Sequence, residues 1–545
     1  LWGYEYLNGD KNISVVFFNK DIMDRKQLIS KIITENLFFI CSILLVISFS
    51  FSESLLSISA GLLFLQVFIS GKWKDKIEII KRERSLWALM GIFFIYVFGC
   101  IFCNDLSTGL YELNKNIFWL IIPFGVALSP KLSEKKYWIL LTIFVSSVSI
   151  ASIIAIFKIF LPDYFTVTGI RDATYVSHVS FSLQIGFSFF ILWYSFLKKQ
   201  PVLGKINVLY IVIWSAYLIV FLGLQKSLTG IFSFYCTLLV SLFYLIKIAN
   251  DRFRKNLVYS ALGFIIIVPF VYIGFVAHNY FTIKDIKPEY ELMSESGNRY
   301  SFDFQNKQKE NGHFVYWYIC NEELENSWNS ISSIKINEND ASGYSIYHTL
   351  IRYMTSKGLR KDAKGVSALT DEDIKNVQSG ISNYIFAKNN FSIYPRIYQT
   401  IWELDTYFKT GNPNDQSLSQ RIEYSKAAFY IIKNNFWGIG TGNFRIEFDN
   451  AYKCTNSKLN QKFWFNVHNQ YLSYIVKFGI VGFFVIIYLI FSSIRWKKQF
   501  SNSLLILFIC IIGISNLSET TLETHIGLPF FVYFLSLFFW HQQEK

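Results

Sequence analysis

The stretch Asn256-Leu-Val-Tyr-Ser-Ala-Leu-Gly-Phe-Ile-Ile-Ile-Val-Pro-Phe-Val-Tyr-Ile-Gly-Phe-Val-Ala-His-Asn-Tyr-Phe281 contains no Asp, Glu, Lys or Arg and follows directly on Arg252-Phe-Arg254-Lys255. A helix of that length crosses the about 30 Å of a bilayer's hydrocarbon. The basic residues before it mark the end that stays in the cytoplasm. Working outward, comparable apolar blocks predict spans at 36–52, 54–70, 86–103, 116–129, 136–161, 179–197, 206–224, 227–247, 256–281, 469–494, 502–516 and 526–543, about twelve in all. The 116–129 and 502–516 blocks are short and suit tilted or partly interfacial segments.

Composition agrees with a bilayer as the solvent. Of 545 residues, 52% are hydrophobic, 19% aromatic and only 17% charged, with 55 Phe gathered into the apolar blocks; the mean hydropathy is +0.31. A single soluble core does not absorb that much apolar surface. The net charge of +13 is not a nucleic-acid footprint, because the Lys and Arg sit in short clusters between blocks. With the N-terminus inside, the inner side collects Arg25, Lys26 and Lys31, then Lys72, Lys74, Lys76, Lys81, Arg82 and Arg84, then Lys131, Lys135 and Lys136. Lys198, Lys199 and Lys205, then Lys247, Arg252, Arg254 and Lys255, and finally Arg495, Lys497 and Lys498 follow on the same side. The outer short loops hold only Lys115, Arg171 and Lys226. This asymmetry predicts both termini in the cytoplasm and residues 282–466 in the periplasm. Met23, followed by Asp24, Arg25 and Lys26, reads as a start, leaving 1–22 as an upstream or disordered segment.

The seven Cys include one Cys-x-x-Cys pair, Cys100-Ile-Phe-Cys103, at the end of an apolar block, but no second pair and no His at metal spacing, so no metal site is expected. Cys320 and Cys454 share the long loop and are open to pairing or to remaining free. The loop is too long and too patterned for a linker. It reads as a mainly helical domain: an amphipathic helix over Ser345–Lys357, a capping box at Thr370 and Asp373, a helix from Pro395 to Lys409 before Gly411, and a helix opened by a second capping-box pattern at Ser417-Leu-Ser-Gln420. No extended sheet is expected.

Chemistry gathers at the loop's return to the membrane. In Trp437-Gly-Ile-Gly-Thr-Gly-Asn-Phe444, glycines at 438, 440 and 442 permit positive φ and leave N–H groups for an anion; a tight turn is the alternative. His468-Asn-Gln-Tyr-Leu472 opens the tenth block, where a neutral imidazole can take a proton from a hydroxyl near pH 7; an interfacial His beside a Tyr is the alternative. A second His-Asn pair, His278-Asn279, sits at another membrane edge.

The strings Ser-Leu-Ser-Gln-Arg421-Ile-Glu-Tyr, Gly-Ile-Gly-Thr-Gly-Asn-Phe444 and His468-Asn-Gln-Tyr-Leu472, with the following Phe478-Gly-Ile-Val-Gly482, resemble the signature region of O-antigen ligase and polymerase proteins. The resemblance implies a metal-independent, GT-C-type membrane glycosyltransferase without a cofactor. Such an enzyme takes a glycan from undecaprenyl diphosphate at the periplasmic face of the bacterial inner membrane and passes it to lipid A-core or another glycan. It implies His468 as base or diphosphate ligand and Arg421 as the cation on the departing diphosphate, for which a planar fork is suited; otherwise Arg421 is a solvated charge paired with Glu423 or Glu447. Gly440 and Gly442 would supply N–H groups, with Asn469 and Tyr471 in support. Where relatives carry Arg in a Ser-Arg-Thr-Gly-like string this chain has Lys226-Ser-Leu228-Thr-Gly230, so Lys226 stands in for the charge. Ser177-His178-Val-Ser180 departs likewise, with His178 a candidate for the same cavity. Glu519 and Glu523, spaced i and i+4 before His525, would share a helix face and orient a histidine or contact sugar hydroxyls, unless they are simply solvated. A flippase or polysaccharide transporter is the reading from another class, disfavoured by the absence of repeated halves.

Overall fold

The computed structural model describes residues 36–101, 103–159, 170–200, 202–248, 251–285, 292–388 and 392–542. The expected upstream segment 1–22 and the Met23 start lie outside the described residues. The protein is a helical bundle with a helical cap, and each apolar block falls on a helix. Among the described residues, six helices are long and apolar enough to cross a membrane: Arg84–Ile101, Glu134–Lys158, His178–Leu197, Leu228–Lys247, Arg252–Phe281 and Gln470–Trp496. The pair Glu53–Ile69 and Trp73–Arg82, bent by 115°, makes a seventh if taken as one span. The remaining blocks form shorter apolar helices, Asn36–Phe51, Val208–Leu224, Ser503–Ser515 and Gly527–Trp540. The 116–129 block is helical only over Phe118–Ala127, with Pro123 inside it. Ten residues rise only about 15 Å, so this is a half-length helix, and its own Trp119, Ile122 and Val126 are fully buried.

The helix Gly527–Trp540 is the central pole. Every residue from Gly527 to Phe539 is buried, and its Phe530 and Phe534 meet Phe49, Phe144, Phe187 and Phe508 with centroids 4.6–6.1 Å apart across the group. Lipid tails are as apolar as this core, so close packing and polar contacts must hold the helices together. Gln184 supplies one such contact, accepting from Ser50 Oγ at 2.9 Å and donating to the Phe49 carbonyl at 2.8 Å. Ser152 and Tyr217 supply another at 2.7 Å. Arg252–Phe281 lies at the rim: only Val276 and Tyr280 are buried, while Phe264, Phe270 and Val271 are exposed, as lipid-facing residues should be.

The region 282–466 has two parts. Residues 292–388 close on their own core, built from Leu324, Trp328, Leu350, Met354 and Val377. Beyond it, the helices Tyr394–Thr410, Ser417–Asn434 and Phe444–Cys454 form a collar on the bundle. The collar shares a core with the start of Gln470–Trp496 through Val476 and Leu472, and Tyr398 packs on Tyr280 of the rim helix at 5.2 Å. The helix Ile346–Ser356, the Thr370–Asp373 capping box and the left-handed Gly411 after Thr410 all match the sequence. The second capping box does not form. Gln416 is the cap residue and makes no side-chain cap bond; the free N–H of Leu418 is taken instead by Glu403 Oε2 at 3.0 Å. Strand structure among the described residues is confined to Lys309–Glu310 paired with His313–Phe314, and isolated bridges. Cys320 is buried, Cys454 is exposed, and both are free thiols.

Candidate functional site

The collar helix Ser417–Asn434 sets Arg421 and Tyr424 one turn apart, on one face. Arg421 Nη2 donates to Glu519 Oε1 at 2.5 Å, and Tyr424 stacks on the His468 ring at 5.5 Å with planes 28° apart. Glu423, the pairing alternative from sequence, is engaged with Lys426 at 2.7 Å. His468 Nδ1 lies 3.5 Å from Glu519 Oε2. One carboxylate thus holds both the arginine and the histidine.

Glu519 is fixed by its own backbone. The N–H of Gln470 donates to the carbonyls of Asn516 and Glu519, at 2.9 and 3.2 Å. Gln470 Oε1 accepts from the Leu522 N–H at 2.9 Å. Asn469 caps the helix Gln470–Trp496 by accepting from the Leu472 N–H at 3.0 Å, and its amide donates to the Leu517 carbonyl at 2.8 Å. His468 precedes that cap with φ +47°, a left-handed turn that His tolerates better than most residues. Tyr471 donates to the Gly513 carbonyl at 2.7 Å. Asn469 and Tyr471 are therefore straps between the two segments that carry His468 and Glu519. Burial pushes the Glu519 carboxyl up, but the hydrogen bond with His468 and the Arg421 charge outweigh it and hold the group below the usual glutamate range.

Two arginines that sequence reading left out of the site belong to this cluster. Arg171, in an outer loop, donates Nε to His178 Nε2 at 3.1 Å. Arg396, in the first turn after Pro395, donates Nη1 to Gln399 Oε1 at 3.0 Å and Nη2 to Ser417 Oγ at 3.5 Å. Its Nε is buried with no hydrogen-bond partner among the described residues. Burial lowers the Arg396 guanidinium below its ordinary value; Glu403 opposes this, and the positive charges of Arg171 and Arg421 add to the fall. Arg396 is repelled by the other two guanidinium groups and keeps an orphaned buried donor, which an anionic oxygen would satisfy. The orphaned donor and the mutual repulsion are visible only in three dimensions; the outlying Arg171 was the available sequence signal.

Lys226 sits at the rim of this cluster. Its turn has φ +52°, and it is tied by Ser227 to Ser182 at 3.2 Å, one turn on from His178, and by Thr229 to Ser518 at 3.1 Å, next to Glu519. Lys226 is half-buried, has no ion-pair partner among the described residues, and burial lowers its ammonium from the ordinary lysine value.

The glycine string does other work. Gly438 and Gly440 have φ +83° and +82°, yet their N–H groups donate to the carbonyls of Asn435 and Lys477, and those of Ile439 and Thr441 to Val476 and Gly99. The expectation of free N–H groups around an anion fails at these positions because the loop docks on a kink in the helix Gln470–Trp496. That kink is Gly479, at φ 69° and ψ 176°. A Cβ at Gly438 would lie 2.4 Å from the Gly479 nitrogen, and one at Gly442 would lie 1.8 Å from Cys103 Sγ.

Glu523 also departs from expectation. Residues 516–520 are a turn and Thr521–Glu523 a single 3-10 turn, so Glu519 and Glu523 do not share a helix face. Glu523 is a buried counter-ion: Lys477 Nζ bridges Glu523 Oε2 at 3.0 Å and Glu112 Oε2 at 2.9 Å, and Ser473 adds a bond at 2.7 Å. His278 lies apart, at the end of the rim helix.

With the geometry in place, one comparison bears on it. Residues 375–487 match a family model described as O-antigen ligase. The chain carries an O-antigen ligase family domain. The matched stretch holds Arg396, Arg421, Tyr424, the glycine string, His468 and the Gly479 kink; Arg171, His178, Lys226, Glu519 and Glu523 lie outside it. At the level of the family, the O-antigen ligase domain is a membrane glycosyl-transfer domain of the ligase and polymerase type. A search of curated proteins gave no match.

Proposed function

We propose that the protein transfers a glycan from undecaprenyl diphosphate to an acceptor sugar at the periplasmic face of the bacterial inner membrane, with lipid A-core as the acceptor, without a metal. The chain in this reading crosses the membrane about twelve times with both ends inside, as its basic clusters favour. The observation that carries the reading is the shared carboxylate: Glu519 accepts from Arg421 and stands 3.5 Å from His468, beside two more guanidinium groups.

In this mechanism the His468 Nδ1–H points to Glu519, leaving the Nε2 lone pair for the acceptor hydroxyl. The hydroxyl oxygen forms a bond to the anomeric carbon, and its proton passes to Nε2. The bond from that carbon to the diphosphate oxygen breaks, its electron pair leaves with the undecaprenyl diphosphate, and the charge that builds there meets Arg421, Arg396, Arg171 and Lys226. Electrostatic stabilisation by fixed cations needs no reorganisation at the moment of reaction.

Purified protein in lipid nanodiscs, given lipid-linked glycan and lipid A-core, should form the joined product. Arg421→Ala should weaken donor binding by about 1.5–3 kcal/mol, the range for a hydrogen bond to a charged group, with Arg421→Lys recovering only part. Unchanged donor affinity in both variants removes Arg421 from the diphosphate site.

A further inference from the structure

Beside His468 a cavity of about 290 Å³ opens between the helix Phe444–Cys454 and the segment that returns to the membrane, lined by Arg445, Asp449, Trp464, Phe465 and Asn466 with His468 itself. That volume is at the small end of the about 300–1,000 Å³ of small-molecule sites, and suits a sugar ring better than a lipid. Its chemistry differs from that of the arginine cluster. Arg445 and Asp449 sit i and i+4 on one helix, yet their side chains form no ion pair or hydrogen bond among the described residues. One offers donors and the other acceptors, so together they match a polyol, whose hydroxyls do both, and not a second anion.

The aromatic wall is held rigid. The Trp464 indole N–H donates to the Leu459 carbonyl at 2.9 Å, and the ring is stacked on Tyr452 at 5.3 Å with planes 29° apart. Tyr452 in turn donates its hydroxyl to the Phe465 carbonyl at 2.6 Å. Phe465 itself is 52% exposed, an apolar ring left in the open beside polar groups. A fixed aromatic face next to an unpaired donor and acceptor is preorganised for a ring with one apolar face and a hydroxylated rim.

We propose that this cavity is the subsite for the terminal sugar of the acceptor: an uncharged pyranose seated against Trp464 and Phe465, with hydroxyls on Asp449 and Arg445 and the reacting hydroxyl turned to His468. The assignment rests on the glycosyl-transfer reading and adds to it residues that set acceptor recognition. The donor diphosphate then lies with Arg421, Arg396 and Arg171 and the acceptor in the cavity that His468 lines, so the two substrates meet at His468.

The test is a steady-state transfer assay in nanodiscs, varying lipid A-core and lipid-linked glycan separately. Asp449→Asn and Phe465→Ser, both at partly or fully exposed positions, should raise the acceptor KM roughly ten-fold or more while the donor KM stays within about two-fold. Trp464→Phe, which keeps a ring, should retain most of the acceptor affinity that Trp464→Ala loses. Acceptor KM unmoved in Asp449→Asn and Phe465→Ser, with transfer intact, overturns the subsite and leaves the transfer reading standing. A raised donor KM with the acceptor KM unmoved gives the cavity to the donor's glycan and overturns it too. Absence of transfer by the unsubstituted protein with every acceptor sinks the transfer reading, and the subsite with it.

Discussion

His468 Nδ1 lies 3.5 Å from one oxygen of Glu519, whose other oxygen accepts a hydrogen bond from Arg421. The three residues come from the collar, the start of one span and the turn before the last helix. Folding therefore brings a histidine and an arginine to one carboxylate, and the stability of that contact depends on pH in a defined direction.

Because its partners hold the Glu519 carboxyl below the usual range, the contribution of this contact to stability is fully present above the unfolded glutamate value near 4.3 and is lost as pH falls through the lower folded value. The difference in thermal unfolding between the unsubstituted protein and Glu519→Gln, measured in detergent, should stay constant from neutral pH to about pH 5 and shrink only below that. A difference that vanishes between pH 7 and 5 contradicts the assignment.

The docking of the glycine string on the Gly479 kink makes a second test. At φ 69° and ψ 176° the backbone is in a region that only glycine occupies readily, and strain there costs about 1–3 kcal/mol. A Cβ would also lie 2.5 Å from the Phe436 carbonyl oxygen. Gly479→Ala should lower the unfolding temperature clearly, whereas Gly274→Ala, with nothing within 4 Å, should be neutral or mildly stabilising. Equal stability of the two variants would show that the loop does not dock as described.

Lys477 is buried between two carboxylates. Lys477→Met leaves Glu112 and Glu523 facing each other and should destabilise by about 3–5 kcal/mol, as when one member of a buried pair is removed; adding Glu523→Gln should recover part of the loss. No recovery in the double variant argues that the two residues do not interact.

The proposed orientation has its own measurement. A reporter active only in the periplasm should be on when fused near Ser342 and off when fused near Lys199. The reverse pattern contradicts the inside assignment of the basic clusters.

Much of the fold was legible because most apolar blocks are long and the inner loops are marked by basic residues, and every block became a helix. Which of those helices cross alone was not legible: hydropathy is blind to whether a ten-residue piece such as Phe118–Ala127, with Pro123 inside it, is buried in protein. Arg421 and His468 were legible through the short strings that carry them, although only the helix after His468 has a side-chain cap, Asn469, and the cap read at Ser417 does not form. Arg396 was not, because its significance lies in an orphaned Nε and in two distant guanidinium neighbours. The glycine string misled for a related reason. Glycine permits positive φ whether the freed N–H groups face an anion or a carbonyl, and here Val476, Lys477 and Gly99 provide the carbonyls. Glu523 was misread because the i and i+4 spacing presumes a helix, and the chain makes a turn there.

The central claim is that His468 takes the acceptor's proton, and the most direct test is transfer and donor binding measured side by side in His468→Ala and His278→Ala proteins shown to fold alike. The account predicts that His468→Ala lowers transfer by roughly 10²- to 10⁴-fold, the range for a lost acid–base group, with donor binding intact, while His278→Ala changes neither. Near-normal transfer by a folded His468→Ala protein, or donor affinity falling in step with transfer, would contradict it.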